Sequence, residues 1–189
     1  MESLLIFLRL FRAITDEDGV VISSYFQARH FKEGEYLFTQ GKVCKQLFFI
    51  TSGILRIVGT NPKGIDITYY FIENNQFCTI LQSFNEEIIA NDSIQACTDT
   101  HVLSIDKNRL SALYREIPYM SDLINKIHQQ RMQEKIRLKN AYAGKDAIER
   151  YKTFLSEQPE VAREVPLNFV ASYLNVTPQS LSRIRRSLL

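Results

Sequence analysis

The chain has 189 residues, 45% of them apolar and 23% charged, with a formal net charge of +2, the balance of a globular chain with a core of its own rather than a disordered or fibrous one. No apolar run approaches the ~20 residues that a membrane-crossing helix needs. Cys44, Cys78 and Cys97 stand far apart, without a CxxC or Cys/His cluster, which excludes a zinc or iron–sulfur motif and predicts three small buried apolar residues.

In chain order, Leu4, Leu5, Leu8 and Phe11 put an apolar stripe on a first helix that should end near Ile14. Glu2, Arg9 and Arg12 interrupt the stripe and no small-residue cleavage pattern follows, so the start reads as an amphipathic helix and the protein as cytoplasmic. Thr15 and Asp18 have the spacing of a capping box for a second helix, with Val20, Val21 and Tyr25 inward. From Gln27 the character changes to short β-branched and aromatic runs: Ala28–Phe31, Tyr36–Thr39, Leu47–Thr51, Ile54–Gly59, Ile65–Ile72, Ser93–Cys97 and His101–Ile105. Turn residues separate them, which predicts an antiparallel barrel or sandwich, with a short helix within Leu81–Ala90. Asp106 should cap a helix to about Arg115.

Tyr119 to Ala143 is the longest uninterrupted helical pattern, with Met120, Leu123, Ile124 and Ile127 at three-four spacing. The strand unit can cover part of such a stripe and a second copy of the same helix is the economical cover for the rest, so these four residues are the predicted homodimer contact, the alternative being a long core helix in a monomer. Gly144 breaks the helix. Another follows over Lys145–Glu157, with Ala147, Ile148, Tyr151 and either Phe154 or Leu155 inward, and Pro159 should stop it.

The last stretch, Val165 to Leu189, predicts a helix over Leu167–Leu174, a turn at Asn175-Val176, and a second helix with Thr177 as N-cap and Pro178 in its first turn. Leu181, Ile184 and Leu188 should face inward, and no acidic residue follows Glu164. Two short helices, a tight turn and a basic second helix describe a helix-turn-helix reader of double-stranded DNA, the alternative being a helical hairpin that only packs on a core. Charge agrees: residues 1–117 carry 11 Lys and Arg against 14 Asp and Glu, residues 118–189 carry 12 against 7. An acidic front and basic back suit a regulatory unit joined to a nucleic-acid unit.

An antiparallel strand unit, one long helix and a small helical unit, in that order, resemble the Crp/Fnr family of bacterial transcription regulators. In front, Phe31-x-x-Gly34-x-x-Leu37-Phe38-x-x-Gly41 and Leu47-Phe48-Phe49-Ile50-x-Ser52-Gly53 look like the glycine-punctuated hairpins of the cyclic-nucleotide-binding β-roll. At the back, Ala171-Ser172-Tyr173-Leu174-x-Val176-Thr177-Pro178-x-Ser180-Leu181-Ser182-Arg183-Ile184-Arg185 looks like the family's helix-turn-helix, in a form similar to Bacteroidetes-type members. The resemblance implies an α+β fold: a β-roll (double-stranded β-helix) sensor with flanking helices over 1–117, a dimerisation helix over 118–143, and a DNA-binding unit over 144–189. It also implies a homodimer on a near-palindromic operator, with RNA polymerase as a partner and no catalytic activity. Thr177, Gln179, Ser180, Ser182, Arg183, Arg185 and Arg186 then fall on the DNA. Arg183 is placed for a bidentate guanine contact, Gln179 for a neighbouring base, and Ser180, Arg185 and Arg186 for phosphates. Pro178 stands where some members have a base-reading Arg.

The resemblance fails at the phosphate cassette. Nucleotide-binding members carry Gly-Glu and, about ten residues on, Arg-Ser. Here Cys78-Thr79 and Ala90-Asn91 stand roughly there, and no Arg or Lys lies between Lys63 and Lys107. A cyclic phosphate would lack a cation, and Glu86, Glu87 and Asp92 would repel it. Cys78, Thr79, Gln82, Ser83, Ala90 and Asn91 thus read as a vestigial effector pocket that does not take cyclic AMP, with an unknown small-molecule effector or none. No cofactor is expected: residues 1–43 hold no cysteine, His30, His101 and His128 have no motif company as haem ligands, and nothing near Cys78 in sequence activates its thiol. A cupin-like metal enzyme lacks its His/Glu cluster. The alternative is an effector-sensing or partner-binding β-roll without specific DNA binding.

Overall fold

The computed structural model describes residues 1–188. Helix α1 spans Glu2–Arg9, buries Leu4 and Leu8, and ends a turn earlier than the stripe suggests. Its successor α2 spans Asp16–Tyr25. Thr15 Oγ1 accepts from the Asp18 backbone N–H at 3.1 Å. The Asp18 carboxylate does not reach back, as a capping box would have it, but accepts from the Tyr119 hydroxyl at 2.7 Å. The inward face of α2 is Gly19 and Ile22, while Val20 stands in solvent. Gly19 sets that face because it lets α2 approach Leu5 of α1, where a Cβ would come within 3.3 Å.

The strands are β1 (Gln27–Phe31), β2 (Tyr36–Phe38), β3 (Gln46–Ser52), β4 (Leu55–Thr60), β5 (Asp66–Ile72), β6 (Phe77–Cys78), β7 (Ser93–Ala96) and β8 (Thr100–Asp106). They form two antiparallel four-stranded sheets, ordered β1-β8-β3-β6 and β2-β7-β4-β5. Seven strands were expected. The eighth, β6, is two residues long, too short to show a period, and pairs with Phe48 and Phe49 of β3. Gly53 shows why the hairpins are punctuated by glycine: its φ is +93°, and a Cβ there would lie 2.6 Å from the Asp99 carbonyl oxygen.

Residues facing between the sheets, among them Phe48, Ile50, Leu55, Ile94 and Val102, form one core. The opposite face of β3 and β8 packs on the helices through Phe49, Leu103 and Ile105. This second core holds α1, α2, α4 (Lys107–Glu116) and the first half of α5 (Tyr119–Tyr142). Asp106 caps α4 as expected, accepting from the backbone N–H groups of Asn108 and Arg109. Between β6 and β7 lies the short helix α3 (Leu81–Glu86).

After Gly144, α6 spans Ala147–Glu157 with a full capping box between Asp146 and Glu149. Tyr151 and Phe154 are its buried residues, whereas Ile148 and Leu155 are exposed. Pro159 does not end the helical run but begins α7 (Pro159–Glu164), in the first turn, where its missing N–H costs nothing. α8 (Leu167–Tyr173) and α9 (Pro178–Ser187) are the last two helices among the described residues. Their core, built on Phe154, Val161, Ala171, Leu174 and Leu181, also takes in Ile54 and Cys97 from the strands. No described helix is long and apolar enough to cross a membrane.

Candidate nucleic-acid interface and sensor pocket

Helix α9 begins where the sequence allows it to. Thr177 has extended backbone angles, and its Oγ1 accepts from the Ser180 N–H at 3.1 Å and donates to Ser180 Oγ at 2.9 Å. Asn175, at φ +55°, makes the turn from α8, a left-handed conformation that asparagine tolerates better than most residues. Leu181 is fully buried and Ile184 half-buried against the C-terminal core, while Leu188 is 38% exposed and holds little. Thr177, Gln179, Ser180, Arg183, Arg185 and Arg186 are exposed, and Ser182 is half-buried. The three arginines make no salt bridge within the described residues. One face of α9 is thus basic, free of acid and open to solvent.

The first helix of the pair, α8, is seated on the strand unit. Ser172 Oγ accepts from the Thr68 N–H at 3.0 Å and donates to the Asp66 carbonyl at 3.3 Å. Beneath α8 lies Arg56 of β4, only 2% exposed. Its guanidinium donates to Gln95 Oε1 and Thr68 Oγ1, both at 2.8 Å, lies 3.5 Å from Asp66, and stacks 3.7 Å from the centroid of Phe169. Buried Gln158 donates 3.0 Å bonds to the hydroxyls of Tyr142 and Tyr173, joining the end of α5 to α8. Arg56 and Gln158 escaped sequence reading. A lone Arg in a strand pattern and a Gln before a proline carry no periodic signal.

The cassette residues are divided. Ser83 is buried, donates to the Ile88 carbonyl at 2.6 Å and accepts from the Cys44 N–H at 2.8 Å. Thr79 Oγ1 donates to the Gln46 carbonyl at 2.8 Å. Ala90 is buried and offers no polar side chain, whereas Gln82 and Asn91 are exposed. Cys78 is buried, and desolvation pushes its thiol up to about 12. Of the six residues, Cys78 and Thr79 line a cavity of about 1860 Å³ that runs between β5, the cassette, α5 and the α8–α9 turn. Lys107, the cation that closes the Lys-free segment, is paired at 2.9 Å with Glu87.

The four expected dimer residues have partners within the chain. Met120, Leu123 and Ile127 are buried in the helix-and-sheet core, and Ile124 packs against it. Farther along α5, Met132 and Ile136 are exposed. His30 and His101 stack at 4.5 Å as cross-strand partners of β1 and β8, and His128 lies on α5. Among the described residues no group of three or more His, Cys, Asp or Glu side chains could hold a metal ion.

Residues 28–116 match the family model of the cyclic nucleotide-binding domain. The chain is 26% identical over 125 residues to the cyclic AMP receptor protein of Thermus thermophilus, a stretch covering 66% of this chain but only 57% of that relative's length. Among solved structures, a transcriptional regulator of the crp/fnr family from Eubacterium rectale superposes with a TM-score of 0.71 at 18% identity, over 96% of this chain and 86% of that one. The c-di-GMP responsive global regulator CLP of Xanthomonas campestris gives 0.71 at 16% identity, over 92% and 91%. Residues 28–116 therefore resemble a cyclic nucleotide-binding domain, and the chain shares its fold with these solved structures.

Proposed function

We propose that this chain is a sequence-specific DNA-binding transcriptional regulator of the Crp/Fnr type. The observation that carries the reading is the exposed, acid-free face of α9, held by Leu181 and Ile184 against α8. Arg183 is unpaired and exposed in the middle of the helix, as a bidentate guanine contact requires, and Gln179 stands one turn nearer the N-terminus for an adjacent base. Ser180, Arg185 and Arg186 flank them and serve the phosphates. Thr-Pro and Ser-Leu-Ser-Arg at the start of α9 favour a Bacteroidetes-type member.

The regulator works as a homodimer on a near-palindromic operator, with half-sites about one helical turn, ~34 Å, apart, and RNA polymerase is its partner in transcription. Since Met120, Leu123, Ile124 and Ile127 pack on the chain's own core, the copies meet through the distal half of α5, where Met132 and Ile136 are exposed. Cyclic AMP is not its signal: the cassette hydroxyls are bonded internally and Arg56 is committed to Gln95, Thr68 and Phe169. The test is selection of operators from random DNA by wild type and Arg183→Ala. The variant is expected to lose discrimination at one position per half-site, worth ~1–3 kcal/mol. An unchanged preference would refute the assignment.

A further inference from the structure

The cassette has no free cation, but the opposite wall of the cavity has two lysines without a salt bridge among the described residues, Lys135 and Lys139, of which Lys135 is half-buried and Lys139 exposed. Lys135 of α5 lines it, with its ammonium 4.5 Å from the centroid of the Tyr70 ring. Lys135 and Cys78 are close enough for each to act on the other's titration. No carboxylate or other acceptor bonds Lys135 among the described residues, whereas Arg131, one turn earlier on the same helix, is paired with Glu134. Glu73, on the β5 side, feels Arg131 and not Lys135. Lys135 is thus a half-buried cation without a bonded partner among the described residues, with Arg131 beside it, while Glu73 lines the same cavity with its Oε1 unpartnered and its carboxyl held above the usual range by burial. Burial first, and then Arg131, pull the Lys135 pKa down. One turn before Arg131, the buried Nε2 of His128 has no hydrogen-bond partner. An empty site of this kind is costly, and an anion seated on the ammonium relieves it.

We propose that the cavity takes a small aromatic carboxylate, anchored by Lys135 from the helix side rather than by the cassette. Lys135 is the half-buried ammonium, Arg131 is paired with Glu134 and Lys139 is exposed, so one charge is compensated inside the cavity and the second charge of a phosphate dianion would not be. A cyclic phosphate would need donors from the cassette, where Ser83 and Thr79 already donate to backbone carbonyls. The body of the ligand is set by Tyr70, Phe77 and Tyr142, which line the same cavity: flat faces that suit a flat apolar ring. The inference rests on the sensor reading of the strand unit. It is tested without DNA, so its failure and that of the DNA-binding reading are separable.

The full chain is titrated by calorimetry and tyrosine fluorescence with benzoate and indole-3-acetate. Benzamide and indole-3-acetamide serve as neutral counterparts and cyclic AMP as the competing anion. At least one acid should bind saturably, with its amide about tenfold weaker or more. Lys135→Gln should abolish the preference for acid over amide and Lys135→Arg should restore it. Lys126→Gln, exposed on the same helix and outside the cavity lining, should change nothing. The proposal is overturned by the absence of saturable acid binding, by amides binding as well as acids, by an unchanged preference in a folded Lys135→Gln, or by cyclic AMP binding that survives that variant.

Discussion

Arg56 joins the strand unit to α8 through Thr68, Gln95 and Phe169, and Arg56→Ala measures how far the seating of α8 depends on it. The substitution deletes two 2.8 Å hydrogen bonds from a charged donor and the stacking on Phe169. Hydrogen bonds to a charged group contribute ~1.5–3 kcal/mol each, and a desolvated cation–π contact about 2. Against these stands the cost of burying the guanidinium, several kcal/mol, which the variant recovers. Removing one partner of a buried ion pair destabilises by ~3–5 kcal/mol when the other charge stays buried. Here Asp66 is 50% exposed and rehydrates, so the low end applies, about 3 kcal/mol. Urea unfolding at one fixed protein concentration reads the loss. A double-mutant cycle with Phe169→Leu isolates the contact between the units, expected at ~1–2 kcal/mol of coupling. Coupling indistinguishable from zero, within ~0.3 kcal/mol, would refute the seating of α8 on the strands.

Thr177→Ala should cost about 1 kcal/mol by removing the α9 cap, with Thr177→Asp retaining most of it, as thermal melting would show. Cys78 and Cys97 are both pushed up to about 12 by burial, so their thiols stay protonated below that pH. Native protein at pH 8 should take no iodoacetamide there, while unfolded protein should be alkylated, and a mass adduct on either residue in native protein would contradict their burial. Ile136→Glu should shift the proposed homodimer to monomer in sedimentation, whereas a dimer of unchanged affinity would move the contact off the distal half of α5.

Much of the fold is legible because its signals are local. Thr15, Asp106 and Thr177 are caps, and each starts a helix by accepting a backbone N–H two or three residues on. Runs of alternating β-branched and aromatic residues became seven of the eight strands. What failed depends on partners distant in sequence. Val20 has the spacing of a buried residue, but the approach of α2 to Leu5 at Gly19 turns it outward. Pro159 reads as a stop, but a start is equally open to a proline. The stripe at Met120, Leu123 and Ile127 was legible as apolar and the strands as part of its cover, but the share taken by α1, α2 and α4 was not. For the candidate site, the exposed basic face of α9 follows from helical period alone. Arg56, Gln158 and Lys135 do not, since each acquires its role from residues 12 or more positions away.

The central claim, that α9 reads DNA for a two-fold symmetric protein, is tested most directly by recovering the DNA bound by the purified full chain from a genomic fragment library and sequencing it. The account predicts one enriched motif with inverted half-sites whose centres lie about 10–10.5 base pairs apart, lost at one position per half-site in Arg183→Ala. Fragments recovered without a shared motif, or a motif unchanged by Arg183→Ala, would contradict it.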